Sequence, residues 1–182
     1  MSENENEFDT RAFRNALGLF PTGITVITTM GPGDKPEGLT ANSFGAVSLD
    51  PPLVQWCLGN NAPSLPMFRD GTHFAINVLK DDQRDISNKF ATPAEDKFAG
   101  VDWRRGLGGS PIIAKSLAVF ECRNDVQYEA GDHLIFIGGV EDYTHVEGAP
   151  LLFNAGNYGV ARPHPDDYHP DPDAVGFDDL LL

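Results

Sequence analysis

Thr40, Ala41, Asn42, Ser43 and Ser48 fall within one stretch, Gly38–Pro52, which reads GLTANSFGAVSLDPP. Short polar side chains alternate there with apolar ones, and such side chains bond readily to nearby backbone or to ligand oxygens. Gly38 and Gly45 remove bulk where a flat or phosphorylated ligand could approach the backbone. Asp50, Pro51 and Pro52 form a turn into the apolar run Leu53–Leu58. Strand, Ser/Thr loop and strand is also the pattern of a plain β-barrel corner, so composition alone leaves both readings open.

Other chemistries lack their signatures. Neither GxGxxG nor GxxxxGK[ST] occurs, which removes support for a Rossmann or P-loop nucleotide site. No GxSxG elbow is present. The histidines His73, His133, His145, His164 and His169 show no ligand spacing, so no metal site is expected. Cys57 and Cys122 sit in apolar runs without CxxC spacing and read as free thiols of a reducing cytoplasm.

The net charge of −14 comes from 27 acids and 13 bases. Ten of the acids lie in residues 1–9 and 163–182, which hold no Lys or Arg, so the remainder carries only −4. That balance repels phosphate and argues against nucleic acid. No apolar run approaches a membrane span, and the acidic, polar start is unlike a signal peptide, so a cytoplasmic protein is expected.

The elements that must position these residues are mostly strands. Phe8–Leu19 has helical spacing with Asp9 or Thr10 as cap, and Pro21–Gly23 stops it. Ile24–Thr29, Leu39–Phe44, Val47–Leu49, Leu53–Leu58 and Phe74–Leu79 read as strands. Ser64 is placed to cap a short helix through Arg69, and Asp81 or Asp82 a helix to Phe90. Thr92–Phe98 reads as a helical turn and Trp103–Pro111 as a glycine-rich loop. Ser116–Tyr128 and His133–Val146 form a long hairpin. Many strands, few short helices and no βαβ alternation predict a closed antiparallel barrel as one domain over 10–162. An acidic tail precedes it at 1–9. A Pro-rich acidic tail follows at 163–182, with an apolar end at Phe177 and Leu180–Leu182.

GLTANSFGAVSLDPP resembles the signature of the flavin reductase family. The resemblance continues in PTGITVIT (Pro21–Thr28), FAINVL (Phe74–Leu79), NKFA (Asn88–Ala91), DKFAGVDW (Asp96–Trp103), GDHLIFIGGV (Gly131–Val140) and PLLF (Pro150–Phe153), in order and spacing. It implies a six-stranded antiparallel FMN-binding split β-barrel with short peripheral helices. It also implies NAD(P)H-dependent reduction of FMN or FAD by direct hydride transfer, a homodimer, and a flavin-dependent monooxygenase as partner. Alternatives on the same fold are an enzyme that holds its flavin and acts on a small substrate, and a non-catalytic flavin-binding protein.

Carried over by resemblance, Thr40, Ala41, Asn42 and Ser43 line the flavin, and Ser48, Leu49, Asp50 and Pro51 continue that wall. Cys57, Asn60 and Ser64 lie beside it. Lys89 meets the phosphate, with Ser87, Phe90 and Ala91 around it. His133 and Tyr158 face the nicotinamide of NADH or NADPH. Asn157 stands where the family often has an arginine, which mildly favours NADH. Hydride transfer relies on proximity and orientation, so no catalytic triad is expected.

Overall fold

The computed structural model describes residues 8–164. The tail assignments at residues 1–7 and 165–182, including the apolar end, lie outside the described residues. Helix α1 spans Thr10–Leu17. Asp9 caps it, its carboxylate accepting from the amides of Arg11 and Ala12 at 2.9 Å each.

Strands β1 (Thr22–Gly23), β2 (Thr25–Gly31), β3 (Lys35–Ala41), β4 (Gly45–Leu49) and β5 (Pro52–Gly59) follow. Helix α2 (Leu65–Asp70), strand β6 (His73–Val78) and helix α3 (Arg84–Ala91) come next. The last described elements are β7 (Trp103–Arg105), β8 (Pro111–Ile113), β9 (Ala118–Ala130), β10 (His133–His145), β11 (Leu151–Asn154) and β12 (Asn157–Val160).

Seven strands make the main sheet, in the order β3-β2-β6-β9-β10-β5-β4. Every pairing in it is antiparallel. The expected antiparallel, mainly β architecture is therefore present, and the main sheet has seven strands, as the sequence pattern marks, where the resemblance implies six. Its two edges, β3 and β4, are joined by the short link Asn42–Phe44. Two small sheets, β1-β11-β12 and β7-β8, complete the set.

Period-2 patterning sorts the side chains of the main sheet between its two faces. Along β5, Val54, Trp56 and Leu58 alternate inward. They meet Ile27, Ala41, Phe74, Cys122 and Phe136 from five other strands in one buried cluster. Trp56 and Phe136 are direct cross-strand partners and stack at 4.4 Å. Such a pair contributes about 0.5–1.5 kcal/mol beyond its buried area. Strand β2 is buried on both faces because it serves two cores. Ile27 faces the first, while Val26 faces a second with Leu79, Phe90, Phe98 and Leu151.

Local differences have local causes. Thr92–Phe98 is irregular rather than helical; Asp96 accepts from the amides of Phe98 and Ala99 and turns the chain there. Trp103–Pro111 contains the β7–β8 hairpin, made possible by Gly108 and Gly109 at positive φ (58° and 81°). Ser64 holds the cap position of α2 without a side-chain cap bond. Before α3, Asp81–Gln83 form a single 3-10 turn, in which Gln83 Oε1 accepts from the Lys80 amide at 3.0 Å.

No helix among the described residues is long and apolar enough to cross a membrane.

Candidate functional site

The site is organised by the packing of α3 on β3. A Cβ on Gly38 would stand 2.8 Å from Phe90 Cε1, so only glycine lets that ring lie on the strand. Phe90 is buried and meets Phe98 edge-on at 4.9 Å. Thr40 Oγ1 then donates to the Ser87 carbonyl at 2.6 Å. The Tyr158 hydroxyl donates to Asn88 Oδ1 at 2.8 Å, which leaves the Ser87 hydroxyl to donate to Tyr158 at 3.0 Å. The Arg84 guanidinium lies 5.0 Å over the Tyr158 ring. Thr40, Ser87, Phe90 and Tyr158, far apart in sequence, are thus one hydrogen-bonded and packed group.

A second device pins the Asn42–Phe44 link to β5. Ser43 Oγ donates to the Cys57 carbonyl at 3.1 Å and accepts from its amide at 3.0 Å. Gln55 Nε2 donates to the Ser43 carbonyl at 3.3 Å. The Ser43 hydroxyl is therefore occupied by the fold. The Cys57 thiol donates to Gln55 Oε1, and burial pushes its pKa up, so it stays protonated at neutral pH.

Between β3, the loop before α2 and the segment after α3 lies a cavity of about 490 Å³. Its wall includes Thr40, Leu58, Ser64, Ala91 and Lys97. Lys97 Nζ donates to the carbonyls of Gly38 (3.0 Å) and Phe90 (3.3 Å), which uses two of its three N–H groups. The Ser64 hydroxyl makes no hydrogen bond among the described residues. Lys97 is a candidate site residue that sequence reasoning missed. DKFAGVDW contains it, but only the Asp96 turn folds it back onto β3. Lys89, the expected cation, is half-buried and does not line this cavity.

The remaining candidates lie elsewhere. Asn60 joins His133, since Gly59 pairs with His133 and the Asn60 amide donates to the Asp132 carbonyl at 2.9 Å. His133 Nδ1 is 2.7 Å from Asp132 Oδ1, and this bond holds the Asp132 carboxyl below its usual range. No hydrogen bond or ring contact joins His133 to Tyr158 among the described residues. Asn42 is exposed and borders a different groove, beside Phe20, Thr22 and Phe153. Ser48, Leu49, Asp50 and Pro51 sit at the β4–β5 turn, where all but Ser48 are exposed.

A free hydroxyl and a cation with a spare N–H, among apolar walls and beside the Glu37 carboxylate, make a donor set for a flat, phosphorylated ligand, in a volume normal for small-molecule sites. Among the described residues, no three His, Cys, Asp or Glu side chains gather as a metal site would require.

A family model described as "Flavin reductase like domain" matches residues 17–162. The chain belongs to the flavin reductase family. It is 46% identical over 155 residues to a "Probable flavin reductase" of Rhizobium meliloti, covering 85% of this chain. It spans only 50% of that relative's length, and 58% of a second one from the same organism. It is 45% identical to "FMN reductase (NADH) SmoA" of Agrobacterium fabrum, over 83% of this chain and 86% of that protein. Among solved structures it resembles a nitrilotriacetate monooxygenase component B homologue from Mycobacterium thermoresistibile. That match has a TM-score of 0.84 at 39% identity and covers 96% of both chains. The Thr40–Ser87–Tyr158 group and the Lys97 cavity of this flavin reductase family member both lie within the matched span.

Proposed function

We propose that this chain is an NAD(P)H:flavin oxidoreductase that reduces FMN or FAD for a partner monooxygenase. The observation that carries this reading is the cavity beside β3, where Ser64 and Lys97 offer uncommitted donors next to the Thr40–Ser87–Tyr158 group. The relatives' names support it: one is an FMN reductase using NADH, another a monooxygenase component. When bound, a flavin supplies a ring that accepts two electrons and a proton from a reduced nicotinamide.

The chain's own residues bind and orient. Lys97 and Ser64 hold the phosphate by charge-assisted and neutral hydrogen bonds. Thr40, itself fixed by Ser87, keeps β3 in place as one wall. Asn42, in the β3–β4 link, and His133, at the start of β10, are both exposed and are the residues left to meet the reactants from solvent. His133 acts by positioning; Asp132 fixes its ring through Nδ1. Such chemistry depends on proximity and orientation more than on proton transfer from the protein.

A homodimer belongs to the same reading. Helix α1 buries none of its residues within one chain, and Phe13, Leu17, Leu19 and Phe20 are all exposed. Apolar surface gathered in this way marks an interaction face.

The test is NADH oxidation at 340 nm with catalytic protein and excess FMN or FAD, with NADPH as comparison. Many turnovers per chain support a reductase that releases its flavin. At most one equivalent consumed without oxygen makes the flavin a held group. No consumption in any combination rejects hydride transfer.

A further inference from the structure

Across Lys97 from the flavin cavity lies a second hollow of about 440 Å³. Glu37, Ala94 and Lys97 line both hollows, so a ligand longer than one of them can straddle the Lys97 ammonium. The second hollow is walled by Pro36, Phe98 and Trp103, with Lys35 at its exposed rim. The Trp103 ring is held edge-on against Phe98 at 5.6 Å and is only half-buried. A fixed indole bordering an open hollow is a stacking surface for a flat heterocycle.

The charges narrow the ligand further. Lys35 and Lys97 face three carboxylates, Glu37, Glu95 and Asp96. Asp96 Oδ1 accepts from the amides of Phe98 and Ala99, and one oxygen of Glu37 from the Gly38 amide. The second Glu37 oxygen and the Glu95 carboxylate remain as acceptors for hydroxyl or amino protons. Glu95 and Asp96, absent from the first cavity's lining, make this hollow the more negative of the two, so it suits ribose hydroxyls and an exocyclic amine better than a phosphate. Aromatic surface, acceptors and a cation at the junction together describe an adenosine attached to a phosphate chain.

We propose that this hollow is an adenosine subsite, with Trp103 as its specificity-determining residue, so that the flavin preferred by this chain is the dinucleotide FAD rather than FMN. The proposal rests on the flavin reductase reading. The adenosine of NADH carries the same chemistry; FAD is favoured because the hollow adjoins the cavity assigned to the flavin phosphate.

The experiment measures the dissociation constants of FMN and FAD for the full chain by flavin fluorescence and calorimetry, with no nicotinamide present. Wild-type protein binds FAD about tenfold more tightly than FMN. Trp103→Leu removes that advantage by weakening FAD about tenfold while the FMN constant stays within twofold. Because Trp103 also packs on Phe98, Lys35→Ala at the exposed rim serves as a second variant. It weakens FAD about threefold and FMN not at all. Equal affinity for the two flavins in wild type, or equal weakening of both in Trp103→Leu, overturns the subsite. A raised KM for NADH with an unchanged FAD constant gives the hollow to the nicotinamide nucleotide and also overturns the proposal. Failure of wild-type protein to bind either flavin rejects the reductase reading itself, which separates the two.

Discussion

Gly38→Ala tests the packing on which the site is built. The added methyl would stand 2.8 Å from Phe90 Cε1, 3.0 Å from Phe90 Cδ1 and 3.2 Å from Thr28 Cγ2. The ring cannot swing away, because Phe90 is 1% exposed and is pressed against Phe98. Relief must come from α3 moving off β3, which lengthens the 2.6 Å bond from Thr40 to the Ser87 carbonyl. Overpacking of this kind costs about 1–3 kcal/mol. For a chain of this size that lowers Tm by about 2–12 °C, and flavin affinity falls with it. A double-mutant cycle with Phe90→Leu isolates the contact: the smaller side chain makes room, so the two losses together are less than their sum by at least about 1 kcal/mol. Strictly additive losses, or a Gly38→Ala protein with an unchanged Tm, would refute the argument.

Tyr158→Phe removes the hydroxyl shared by Ser87 and Asn88 and leaves the buried Ser87 hydroxyl without an acceptor. It is expected to cost about 1–3 kcal/mol in urea unfolding, and an unchanged midpoint would show that the network bears no load. Ser43→Ala unpairs both the amide and the carbonyl of Cys57. A loss of about 1–3 kcal/mol is expected, with faster amide exchange at Cys57 as the specific sign. The Cys122 thiol is pushed up to about 12, chiefly by burial, with Glu141, Asp125 and Glu121 adding. It should resist alkylation at pH 8 in native protein and react in urea. Since its folded pKa lies above the unfolded value, its contribution to stability is complete below about pH 9 and is lost as pH rises towards 12. Stability that holds steady across that alkaline range would contradict the burial.

The strands were legible because their patterns are local. β2 is a β-branched run, β5 alternates, and Gly131-Asp132 punctuates two long apolar segments. The family resemblance named Thr40, Ser87, Phe90 and Tyr158 for separate roles, and only the structure joins them into one hydrogen-bonded group. Lys97 stayed hidden because its position depends on the Asp96 turn and on two backbone carbonyls, neither of which leaves a periodic trace. Strands β11 and β12 were also missed. Each spans four residues, too short for alternation to register, and Ala155 and Gly156 at positive φ turn the chain between them. Ser43 illustrates the opposite limit. Its type suits a ligand contact, yet only the structure shows its hydroxyl pairing with Cys57.

The strand order also bears on how the chain assembles. In the main sheet, β2–β3, β4–β5 and β9–β10 are hairpins between sequence neighbours. The joins between them are long-range: β5 meets β10 with Gly59 opposite His133, and β6 meets β9 with Phe74 opposite Cys122. Hairpins close in microseconds, whereas joins across such separations are slow because the chain entropy is lost before the contacts form. Trp56, stacked across the β5–β10 join on Phe136, is therefore placed to report by its fluorescence when that long-range join forms, separately from the local hairpins.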